Sequence, residues 1–115
     1  MLWGRAKGTA MSKFTLADLE KRVQERAQRS ASESYTRALL DKGVAQCAKK
    51  LGEEAIETVL AALQEDKGRL ISEAADLLYH LLVVLEARGV TLEQVEAELE
   101  KRTAQSGHEE KASRK

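Results

Sequence analysis

Apolar residues recur along this chain at three- and four-residue steps, no stretch alternates strictly between apolar and polar, and there is no proline; the pattern predicts helices throughout. Leu16, Leu19 and Val23 give the apolar spacing of a first helix over residues 15–29, and Thr15 with Asp18 forms a capping box at its start. Ser34 can cap a short second helix that runs through Leu39 and Leu40 to a stop at Gly43. A third helix is expected over residues 44–64, with Val44, Ala48, Leu51, Ala55, Val59 and Ala62 as the core stripe. Gly52 interrupts it at a cost of roughly 1 kcal/mol relative to Ala. After a turn over 65–68, a fourth helix is expected over 69–87, closed by Gly89. Thr91 with Gln94 then caps a fifth that ends near Thr103.

The fourth helix is unlike the others. Between Ala74 and Leu85 its only strongly polar side chains are Asp76 and His80, with Tyr79 amphipathic. A helix apolar nearly all round must be covered on several sides, by a bundle or by a second subunit. The expected architecture is therefore all-α, a bundle of four to five helices completed by homodimerisation around the fourth.

With 115 residues the chain fits one domain. Residues 1–11 are expected to be an irregular leader or a remnant of expression, 12–104 the domain, and 105–115, charged and without a large apolar residue, a disordered tail. Lys plus Arg and Asp plus Glu number 19 each, so the balanced charge argues against nucleic-acid or membrane-surface partners. The longest apolar run, Leu81 to Leu85, is far short of the roughly 20 residues that cross a bilayer. A lone Cys47, unable to form an internal disulfide and expected to be a small buried side chain, fits a reducing cytoplasm.

Two acidic pairs at i, i+3 spacing carry the candidate chemistry: Glu54 with Glu57, and Glu73 with Asp76. Residues three apart share a helix face, so each pair aims two carboxylates at one point, and antiparallel packing of the two helices would bring all four together. Four carboxylates near a core repel one another and lose hydration unless a cation joins them. Magnesium takes oxygen ligands and keeps positions for water and substrate phosphates, which suits phosphate chemistry. The rival view is a solvated acidic face on the third helix; Asp76, with apolar neighbours in sequence and a turn away, resists it.

Around the pairs, Lys49 and Lys50 are either phosphate ligands or i, i+4 ion pairs with Glu53 and Glu54. Lys50 shares the flank of Glu54 and Glu57, while Lys49 and Glu53 turn away from it. Arg69, Glu73, Asp76 and His80 form one polar seam, on which His80 suits a supporting role behind the acids better than that of base or ligand. Ser34, Tyr35 and Thr36 either donate hydrogen bonds to a phosphate or simply cap a helix.

The blocks Ser34-Tyr35-Thr36, Lys49 through Glu57 and Ser72 through His80, with EExxE at Glu53-Glu54-Ala55-Ile56-Glu57 and ExxD at Glu73-Ala74-Ala75-Asp76, resemble the phosphoribosyl-ATP pyrophosphatase family. That family lies within the MazG-like all-α nucleotide pyrophosphohydrolases, and the resemblance spans residues 14–103. It implies the second step of histidine biosynthesis: hydrolysis of the α–β phosphoanhydride of 1-(5-phosphoribosyl)-ATP to phosphoribosyl-AMP and pyrophosphate. It also implies magnesium held by Glu54, Glu57, Glu73 and Asp76, with water as nucleophile and Glu53 or a ligand carboxylate assisting its deprotonation. Chains that add the next activity, a cyclohydrolase, carry an extra domain, so a separate cyclohydrolase is expected to take the product. Two rivals stand beside this reading: a MazG-like house-cleaning enzyme acting on nucleoside triphosphates, and a non-enzymatic helical interaction module.

Overall fold

The computed structural model describes residues 13–104, which form five helices and no strand: α1 (Leu16–Ala27), α2 (Tyr35–Asp41), α3 (Val44–Ala62), α4 (Lys67–Arg88) and α5 (Leu92–Thr103). The expected leader and tail lie outside the described residues. Both capping boxes form as the sequence predicts. Thr15 accepts from the Asp18 N–H while Asp18 accepts from the Thr15 N–H, and Thr91 and Gln94 repeat the exchange. At α4 the cap is Asp66, whose carboxylate accepts from the N–H groups of Gly68 and Arg69, so this helix starts two residues earlier than expected.

Two glycines set the corners. Gly43, at φ 99°, follows α2 and opens α3, turning the chain where an L side chain would be strained. Gly89, at φ 69°, ends α4, and the next N–H, of Val90, donates to the Leu85 carbonyl at 2.9 Å.

α3 and α4 pack as an antiparallel hairpin, and one core closes one end of it. Every helix contributes: Val23 from α1, Leu39 from α2, Cys47 from the first turn of α3, Leu82 and Val83 from the last turns of α4, and Leu92 from α5. Burial pushes the Cys47 thiol above its usual pKa, and its Sγ donates to the Leu39 carbonyl at 3.5 Å. α5 is held by its first turn, where the Leu92 N–H donates to the Glu20 carboxylate at 2.8 Å.

The core stripe expected on α3 is corrected by one residue. Val44, Ala48, Val59 and Ala62 are exposed, Leu51 and Ala55 are half-buried as expected, and the row turned toward the protein is Cys47, Leu51, Glu54, Thr58 and Ala61. The helix carries apolar residues on two sides, so periodicity alone cannot say which side faces α4. α4 itself is only partly covered by this chain: His80, Leu82 and Val83 are buried, whereas Ile71, Leu78 and Leu81 are exposed. At the far end of the hairpin Ile56, Val59, Leu60 and Leu63 form an uncovered stripe on α3, with Leu63 80% exposed, and Ile71 is exposed on α4.

Candidate metal centre

The acidic pairs meet midway along the hairpin. Its antiparallel register is visible in three cross-helix contacts: Arg69 Nη2 lies 3.4 Å from Glu57 Oε1, Thr58 reaches Glu73, and Glu54 approaches Asp76. The Thr58 hydroxyl lies 2.8 Å from its own helix's Glu54 carbonyl and 3.2 Å from the Glu73 carbonyl across the interface. Its single proton is thus shared between the backbones that carry the two acids.

Glu54, Glu73 and Asp76 each offer a carboxylate oxygen to one locus, the three lying within 4.8 Å of one another. Glu57 is not in this group; its carboxylate turns to Arg69. Exposure separates the acids further. The side chains of Glu54 and Glu73 are 13% and 19% exposed, against 46% for Glu57 and 52% for Glu53, and Asp76 is exposed too, despite its apolar neighbours in sequence. Glu53 therefore faces outward, as its place on the helical wheel requires.

Two cations bracket the cluster. Lys50 Nζ lies 3.4 Å from Glu54 and 3.8 Å from Glu53, and Arg69 Nε lies 3.8 Å from Glu73. The bond to Glu54, helped by Tyr35 and Glu53 nearby, holds the Lys50 ammonium above its ordinary pKa. Lys50 thus takes both acids that the spacing had divided between two lysines, while Lys49 is exposed and makes no ion pair among the described residues.

His80 supports the site from behind. Its Nδ1 lies 2.8 Å from the Asp76 carbonyl, which can only accept, so Nδ1 carries a proton, while the buried Nε2 has no partner among the described residues. Its contact is with the backbone of Asp76, not with a carboxylate. Tyr79 packs edge-on against His80, with ring centroids 4.9 Å apart, and Tyr35 stacks on Tyr79 at 6.4 Å. The Tyr79 hydroxyl bonds that of buried Thr36, and burial raises the Tyr79 pKa. Ser34 accepts from the Arg37 N–H, the capping role, but Tyr35 and Thr36 do not cap.

Two contacts have no counterpart in the sequence pattern, and a third residue gains a role. The two are Thr58 and the Thr36–Tyr79 bond, and Arg69, on the polar seam, pairs with Glu57 and Glu73. Thr58 stands one turn after Glu54 on the same face, which is a usable signal. The Thr36–Tyr79 bond joins residues 43 positions apart and has no local one.

The donor set fits a hard divalent cation. Three carboxylate oxygens are its preferred ligands, and oxygens on opposite sides of a magnesium or calcium ion stand roughly 4–5 Å apart, so one ion between these acids needs only side-chain adjustment.

Comparison with known proteins gives a concordant picture. The phosphoribosyl-ATP pyrophosphohydrolase family model matches residues 16–103. A phosphoribosyl-ATP pyrophosphatase of Azorhizobium caulinodans is 66% identical over 102 residues, covering 89% of this chain and 94% of the relative. Phosphoribosyl-ATP pyrophosphatase 1 of Bradyrhizobium diazoefficiens is 60% identical over 105 residues, 91% of this chain and 99% of its own length. The corresponding Rhodopseudomonas palustris protein is 59% identical over 105 residues, 91% of this chain and 98% of its own length. With the acidic pairs of both helices inside the matched span, the chain belongs to the phosphoribosyl-ATP pyrophosphohydrolase family.

Proposed function

We propose that the protein hydrolyses 1-(5-phosphoribosyl)-ATP to phosphoribosyl-AMP and pyrophosphate, the second step of histidine biosynthesis, with magnesium bound by Glu54, Glu73 and Asp76. The observation that carries the reading is the convergence of these three carboxylates from two helices. Glu57, one turn along from Glu54, joins them on leaving Arg69.

When bound, magnesium neutralises phosphate oxygens and lowers the pKa of water. The chain supplies the rest. Lys50 presents positive charge beside the acids and meets the triphosphate as a point charge, and Arg69 does the same from α4. Water attacks the α phosphorus, the bond from that phosphorus to the α–β bridging oxygen breaks, and pyrophosphate leaves. One of the inner acids takes the proton that the attacking water loses, since Glu53, 52% exposed, faces outward. Thr58 and His80 hold the backbones of Glu54, Glu73 and Asp76, so the carboxylates are in place before substrate arrives.

A second copy of the chain covers the exposed apolar residues Ile56, Val59, Leu60 and Leu63 of α3 and Ile71 of α4, making a homodimer, and phosphoribosyl-AMP passes to a separate cyclohydrolase. Product analysis tests the activity. With magnesium, phosphoribosyl-ATP should yield stoichiometric phosphoribosyl-AMP and pyrophosphate, and dCTP or dUTP far less. Preference for the deoxynucleotides would make it a house-cleaning enzyme instead. No turnover of any of them, with no magnesium shift in thermal unfolding, would leave the interaction module.

A further inference from the structure

We propose that the open cavity between the end of α1 and the start of α2 binds the 5-phosphate of the substrate's phosphoribosyl group, as a second anion subsite beside the acidic centre; this rests on the phosphoribosyl-ATP reading above. The cavity measures about 470 Å³ and is lined by Arg26, Arg29, Ser34, Tyr35, Thr36 and Tyr79. That volume falls in the range of roughly 300–1,000 Å³ usual for small-molecule sites.

The wall chemistry is that of a phosphate site without a metal. Glu33 is its one acid, against two guanidinium groups, and a single carboxylate cannot assemble a cation centre like the one on α3 and α4. Arg26 makes no ion pair among the described residues, and Arg29 is tied only to Glu25, 3.2 Å away at the exposed surface. Guanidinium groups present paired donors that match phosphate oxygens.

Hydroxyl donors complete the set. The Thr36–Tyr79 pair has two hydroxyl protons and spends one on its mutual bond, leaving the other to donate. The raised pKa of Tyr79 keeps its phenol protonated. Ser34 accepts from the Arg37 N–H and so keeps its own proton for a ligand.

Position links the cavity to the reaction. Tyr79 follows Asp76 by three residues on α4, about 4.5 Å along the helix axis, so the cavity wall starts one turn from the acidic centre. Tyr35 lines the cavity wall on the side of α4: its ring stacks on Tyr79, with centroids 6.4 Å apart. A ligand filling both sites must carry phosphate at two separate places. Phosphoribosyl-ATP does, with a triphosphate at one end and a phosphomonoester at the other, whereas ATP and deoxynucleoside triphosphates have only the first. The cavity is therefore an element of substrate selectivity.

Steady-state kinetics of the full chain and its Arg26→Ala and Arg29→Ala variants, with magnesium, test the assignment. The KM for phosphoribosyl-ATP should rise at least about tenfold in Arg26→Ala, the scale of a lost charged hydrogen bond, with kcat reduced far less. Arg29→Ala should act in the same direction. Ribose 5-phosphate should compete with substrate in the wild type and lose that inhibition in Arg26→Ala, while inhibition by inorganic pyrophosphate stays. Coincident thermal unfolding checks that these exposed substitutions leave the fold alone. An unchanged KM in both variants, or loss of pyrophosphate inhibition in place of ribose 5-phosphate inhibition, would overturn the subsite while leaving the proposed activity standing. A wild type that ignores phosphoribosyl-ATP would instead remove the activity, and the subsite with it.

Discussion

The two ends of the α3–α4 hairpin are built on opposite terms. At one end Cys47, Leu82 and Val83 are sealed by α1, α2 and the first turn of α5, so the chain covers its own apolar surface. At the other, Ile56, Val59, Leu60, Leu63 and Ile71 stand open although they are no less apolar. The acidic centre lies between them. A hairpin anchored at one end and bare at the other places its charged cluster on a rigid core while leaving a face for a second subunit. Hydrophobic patterning marks residues that need covering, but not what covers them.

The sealed end should be the most sensitive to substitution. Leu82→Ala is expected to cost about 2–5 kcal/mol of stability, read from denaturant unfolding, because a buried leucine leaves a cavity behind. A cost below 1 kcal/mol would mean that this end is not the anchor.

Between the ends, Glu54→Gln, Glu57→Gln, Glu73→Gln and Asp76→Asn should each lower activity at limiting magnesium by at least about tenfold, equivalent to roughly 1.4 kcal/mol in the barrier. Folding should persist, since these changes relieve carboxylate repulsion. Glu53→Gln, altered at an outward side chain, is the internal control and should lose least. Full turnover in the four variants would exclude the acidic cluster from the chemistry.

The open end predicts assembly. Light scattering should give at least twice the monomer mass at micromolar concentration, and the melting temperature should rise with protein concentration. Ile71→Glu, 70% exposed in the single chain, should halve that mass and remove the concentration dependence. A wild-type monomer would show that the open end stays bare.

The smallest effect concerns the lysines. Lys50→Ala should raise KM more than it lowers kcat, because its ammonium meets the phosphates similarly in ground and transition states, and Lys49→Ala should do less. The reverse order would place the phosphates on the other flank of α3.

Much of this molecule is local in origin and was legible from residues a few positions apart. The capping boxes at Thr15 and Thr91, the stop at Gly89 and the five helices follow from backbone groups that must be satisfied within one turn. The i, i+3 spacing likewise put Glu54 with Glu57 and Glu73 with Asp76 on shared faces, and sent Glu53 outward. Tertiary structure decided what spans helices. It turned α3 so that Glu54 and Thr58 face α4 and Val59 stays exposed. It drew Glu57 to Arg69 and left a trio, gave both neighbouring acids to Lys50, and joined Thr36 to Tyr79. Period and spacing fix the angle of a side chain about its own helix axis. Which angle points inward depends on the rotation of the neighbouring helix, a quantity no single segment contains.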